Sequence, residues 1–122
     1  VENNHTIDIR NNVDVIMMRT EVRNSARQIG MGMMDQASIS LAASGLAHDL
    51  GLGCIQEGLV SIERLEQENR IGLQVICMNK PSNEQSNLTT KALQDAKWMV
   101  DEVKVETLPA QVVKITLVKW MS

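Results

Sequence analysis

The chain has 122 residues, enough for one domain with its own core, and 12 basic against 15 acidic side chains. That balance argues against a nucleic-acid surface, which needs a basic excess. No apolar run is long enough to span a bilayer, and no charged-then-apolar leader is read ahead of the first element.

Two cysteines, Cys54 and Cys77, lie far apart without ligand spacing, and only two histidines accompany them. A zinc site is therefore not expected, and reduced thiols in a cytoplasmic setting are. Phenylalanine and tyrosine are absent, so eight methionines and the aliphatic residues must fill the core.

Residues 5–10, HTIDIR, alternate apolar and polar and predict a strand with Ile7 and Ile9 inward and His5 at the surface. Asn11 and Asn12 offer a cap to a helix from Val13 to Ile29, whose apolar period is Val15, Met18, Val22, Ala26 and Ile29. Arg19, Arg23 and Arg27 form a line on another face, read either as a solvated face or as a contact for a partner or phosphate.

Gly30-Met31-Gly32 turns the chain into a second helix, Asp35 to Leu50, with Asp35 as its expected N-cap. Ile39, Ala42, Ala43, Leu46 and Leu50 give it a buried stripe. Beside that stripe run Ser38, Ala42, Gly45 and Asp49, small residues ending in a carboxylate. Two readings stay open: the border of a ligand or metal pocket, or close helix–sheet packing with Asp49 at a solvated edge.

Gly51-Leu52-Gly53 is a flexible exit. Residues 58–66 and 71–79 predict an antiparallel hairpin turning at Glu68-Asn69-Arg70, with Ile71, Leu73, Val75 and Cys77 on one face. Cys77 is then a small buried hydrophobe and not a nucleophile. Residues 80–89 are polar, the place for a lid or binding loop.

Thr89 or Thr90 caps a third helix with Leu93, Ala96, Val100 and Val103 on its apolar face. Trp98 falls off that face, to cover a neighbouring element or to anchor a partner. Strands at 103–107 and 112–120 close the chain after a Leu-Pro-Ala turn. The order β-α-α-β-β-α-β-β predicts an α+β two-layer sandwich, a mixed β-sheet covered on one face by about three helices, as one domain over residues 1–122.

That order, with MRTEVRNSARQIG and MGMMDQ in the first two helices, resembles the histidine-kinase-type ATPases, the GHKL or Bergerat-fold superfamily. Within it the chain is similar to the bacterial anti-sigma and stressosome switch serine kinases of the RsbT type. Ser44-Gly45-Leu46-Ala47-His48-Asp49 stands where that group has Ser-Glu-Leu-Ala-Arg-Asn. Residues 96–103, AKWMVDEV, and 115–120, ITLVKW, resemble its last helix and last strand.

The resemblance implies a glutamate base at Gly45, a magnesium ligand at Asp49, an adenine-reading acceptor at Asn79, and a glycine-rich phosphate lid at Leu88-Thr89-Thr90-Lys91-Ala92. Glycine cannot serve as a base, and the lid carries no glycine. A carboxylate at Asp49 still suits magnesium.

The leading expectation is thus a degenerate member of this stress-response switch family that works by protein contacts, with no cofactor. Partners would be an antagonist domain, a sigma-like factor, a phosphatase or a second copy of the chain, met through Arg19, Arg23, Arg27 and Trp98. A second is an active Mg-ATP-dependent serine/threonine kinase using Asp49, Asn79 and a substitute acid such as Glu84. A third is a small-molecule sensor using the old cavity at Ala42 and Gly45.

Overall fold

The computed structural model describes residues 4–81 and 88–121. Its elements are β1 (Asn4–Ile9), α1 (Asn12–Gln28), α2 (Met33–Asp49), β2 (Gly58–Gln67), β3 (Arg70–Asn79), α3 (Thr90–Met99), β4 (Glu102–Leu108) and β5 (Val112–Trp120). They form one five-stranded sheet, ordered β1-β2-β3-β5-β4, with the helices against it. The expected α+β architecture and element order are both present.

The sheet is not mixed: every pair of neighbouring strands is antiparallel. Two hairpins, β2–β3 and β4–β5, set this pattern. The α3 connection carries the chain past the β3 edge to β4, and β5 then returns between them, opposed to both.

The β2–β3 turn is tighter than expected. Gln67 pairs with Arg70, leaving only Glu68 and Asn69 between the strands, at φ 48° and 68°. Positive φ at both central residues matches the right-handed twist of the flanking strands.

The helix α1 starts as read: the Asn11 side chain accepts from Asp14 N at 3.0 Å, and Met18, Val22 and Ala26 are fully buried. For α2 the cap differs. Gly32 holds the N-cap position, and Asp35 lies inside the first turn, where it pairs with Lys119 of β5 at 3.6 Å. An acid there still meets the helix dipole favourably, but it also ties α2 to the sheet.

The second helix is the centre of the molecule, packed on β3 and β5 and flanked by α1 and α3. Its buried face is small-residue-rich: Ser40, Ala42, Ala43, Ser44 and Ala47 surround Ile39 and Leu46. Small side chains let neighbouring backbones come close. Ser40 Oγ donates to Arg19 O in α1 at 3.3 Å, and the Cys77 thiol lies 3.9 Å from Ala43 O.

From the sheet, Ile9, Val60, Ile62, Leu73, Val75, Cys77, Ile115 and Leu117 meet these helices. Each large aliphatic buried here contributes about 1.5–3 kcal/mol. At the far end of the sheet, Trp120 lines an open surface depression of about 430 Å³ with Arg70, Asp101, Glu102, Lys119 and Met121. Its indole donates to Glu102 at 3.0 Å and Arg70 stacks 4.2 Å from the ring centroid.

Two outcomes follow from this packing. Replacing the turn pair by Glu68→Asn with Asn69→Gly removes the steric cost of positive φ, and should raise stability by about 1 kcal/mol in denaturant melts. Burial pushes the Cys77 thiol up to about 12 from 9.0, whereas Cys54 is exposed. Iodoacetamide at pH 8 should therefore label Cys54 in the native protein and both thiols only in denaturant. Because the unfolded thiol releases its proton first, Cys77 also makes stability fall as pH rises above 9.0.

Candidate functional site

Asp49 ends α2, and its carboxylate is turned onto the start of α3. Thr89 N donates to Oδ2 at 2.6 Å and Thr89 Oγ1 to Oδ1 at 3.3 Å. The same threonine caps its own helix, its Oγ1 accepting from Ala92 N at 3.1 Å. One carboxylate thus satisfies a backbone donor just before the helix and pins α3 against α2. The sequence singled out Asp49 and Thr89 separately; forty residues of separation hid their pairing.

Asn79 sits at the end of β3, 2% exposed. Its Oδ1 accepts from Val113 N at 2.7 Å, and its Nδ2 donates to Gln111 O at 3.0 Å and Gln56 Oε1 at 3.1 Å. Gln56 in turn donates to Leu50 O at 2.8 Å. The chain joins the exit of α2, the end of β3 and the β4–β5 turn. That turn holds Ala110 and Gln111 at φ 62°, a conformation that brings the Gln111 carbonyl to Asn79.

The residues predicted to share one strip do not share one surface. Ala42 is 2% exposed and belongs to the core. The four-residue spacing carries it toward the sheet side of the stripe. Gly45 is exposed, and a Cβ built on it meets nothing within 4 Å, so the space where the family's glutamate would stand is open to solvent.

Ser38 and Asp49 are half-buried between those extremes. Among the described residues, no group of three or more His, Cys, Asp or Glu side chains converges as a metal site. Glu84, the substitute acid, and most of the expected lid lie outside the described residues.

Arg19, Arg23 and Arg27 are all exposed on α1, with Arg27 donating to Asn24 Oδ1 at 3.2 Å. Trp98 covers no neighbour: it is 88% exposed on the outer side of α3. Sequence reasoning missed Gln56, whose two side-chain bonds hold Asn79 and Leu50. Its only signal was a polar residue following the Gly51-Leu52-Gly53 turn.

Removing either polar hub should therefore damage the fold locally. Asn79→Ala leaves a buried N–H and a carbonyl unmet and should cost about 1–3 kcal/mol. Asp49→Ala should leave the sheet intact, while hydrogen exchange accelerates selectively at amides 89–93.

No protein-family model matches the chain. It is 25% identical over 120 residues to the serine/threonine-protein kinase RsbT of Bacillus subtilis (strain 168), covering 88% of this chain and 90% of that protein. Its structure is similar to a solved structure of the RsbU and RsbW domains of Rv1364c from Mycobacterium tuberculosis. The TM-score is 0.67 at 18% identity, over 97% of this chain and 32% of that one, so this chain spans about a third of the solved protein. No described helix is long and apolar enough to cross a membrane. The chain has the histidine-kinase-type ATPase fold in the form shared by RsbT-like switch kinases and anti-sigma factors.

Proposed function

We propose that the protein is a regulatory switch protein that works by docking protein partners, and that its capacity to hold ATP is impaired or lost. What supports this reading is the bonding of Asp49 and Asn79. The resemblance would give these two residues to magnesium and adenine. In this chain the Asp49 oxygens accept from Thr89, and the Asn79 oxygen accepts from Val113 N.

For a nucleotide to use them, it must share oxygens that already accept from the protein and, at Asn79, reach a side chain only 2% exposed. A buried amide that leaves backbone partners unmet loses about as much as it gains. The described part of the lid, Leu88 to Ala92, contains no glycine whose backbone could wrap phosphates closely. The residues present do not fit the group.

Catalysis is disfavoured on separate grounds. At Gly45 there is no side chain to take a proton from an attacking hydroxyl. A missing general base costs roughly 100- to 10,000-fold in rate. Binding of a partner needs none of this chemistry, only a surface with a few anchors. The partner classes implied by the related switch proteins are an antagonist domain, a sigma-like factor or a phosphatase. Arg19, Arg23, Arg27 and Trp98 are the exposed residues offered for contact.

A thermal-shift titration tests the reading. Magnesium with ATP at about 1 mM should leave the melting temperature unchanged, because stabilisation scales with ligand concentration over Kd. A magnesium-dependent rise would favour instead an ATP-dependent serine/threonine kinase.

A further inference from the structure

The chain carries a net charge of −3, yet its outer helical face is basic and apolar. Six of the nine large apolar side chains left exposed in the described residues lie on α1 and α2: Val13, Ile16, Met17, Met33, Met34 and Leu41. Arg19, Arg23 and Arg27 are exposed on the same helix pair.

Three acids of these helices are engaged, and the fourth, Glu21, lies near a histidine. Asp14 accepts from Arg10 N, Glu21 lies 3.8 Å from His5, Asp35 pairs with Lys119, and Asp49 holds Thr89. Among the described residues, α1 and α2 together expose three guanidinium groups, and Glu21, 46% exposed at its side chain, is the acid left partly open beside them.

The two helices run side by side, tied at Ser40 and Arg19, so their outer faces adjoin as one surface. On the α2 side Met34, Leu41, Gly45 and His48 recur at seven, four and three residues, a single exposed stripe. The open space over Gly45 makes a hole in that stripe.

Resting on the partner-docking reading above, we infer that this face receives an amphipathic helix of a partner protein whose apolar stripe is flanked by acidic residues. Ridges of such a helix pack across the adjoining faces, and a large side chain fills the hole over Gly45. Methionines at the rim adapt to its shape. Glutamates or aspartates on its flank meet the arginines, which steers encounter and fixes orientation.

A second copy is the wrong occupant by charge. A two-fold interface uses the same patch on both copies, so it would bring six arginines together with few open acids to meet them. An anionic lipid surface would satisfy the charge but leave the hole over Gly45 unfilled by any shaped group.

The test uses the full chain labelled with ¹³C at the methionine methyls and two synthetic helical peptides. Both share a leucine stripe; one has glutamate flanks and the other lysine flanks. The glutamate peptide should shift the Met17, Met33 and Met34 methyls, leave buried Met18 and Met31 unmoved, and bind less tightly as salt rises.

Reversing the three arginines to glutamate should weaken it at least about tenfold. Leu41→Gln, which removes an apolar side chain without adding charge, should do the same with the melting temperature retained. Equal binding of both peptides, shifts confined to other methyls, concentration-dependent shifts without peptide, or tighter retention on phosphatidylserine vesicles would each overturn the inference. The two proposals fail separately: an ATP-dependent thermal shift strikes the switch reading, whereas an inert glutamate peptide strikes only this face.

Discussion

A buried amide must find its hydrogen bonds somewhere, and the architecture around Asn79 follows from that constraint. With 2% of its surface exposed, this side chain meets the backbone of β5, the carbonyl of Gln111 and the amide of Gln56. Gln56 passes the connection to the last carbonyls of α2. Three segments distant in sequence are held at one corner by a single polar group. Asp49 does the equivalent a short way along, fastening α3 to α2 through Thr89.

Much of this was legible from residue order. Period-two and helical patterns placed all eight elements, because each buries one face and the sequence alternates accordingly. Asn11 and Thr89 were readable as caps, since short polar side chains before an apolar period have one good use. The burial of Cys77 followed from its position between Val75 and the inward face of β3. The strand directions were not readable, because the pairing of β3 with β5 depends on where a long connection returns the chain.

The site was less legible than the fold. Spacing put Ala42, Gly45 and Asp49 on one line, but a helix packed on three sides turns that line through three environments. Ala42 lies in the core, Gly45 faces solvent, and Asp49 binds a neighbouring helix. Periodicity reports direction around an axis and not what waits there. The engagement of Asn79 was hidden for the same reason: its partners come from residues 56, 111 and 113. The position of Trp98 off the apolar stripe left open whether it covers a neighbouring element or anchors a partner, and it is 88% exposed.

These features divide the molecule by task. The sheet and the buried face of α2 form the core, with polar hubs turned inward, while the outer faces of the three helices carry exposed arginines, methionines and a tryptophan.

Crystals grown with magnesium and a non-hydrolysable ATP analogue at millimolar concentration examine this directly. The account predicts Thr89 still on Asp49, Val113 still on Asn79, and no density for a triphosphate between them. An adenine on the Asn79 oxygen, with a metal ion on Asp49, would contradict it.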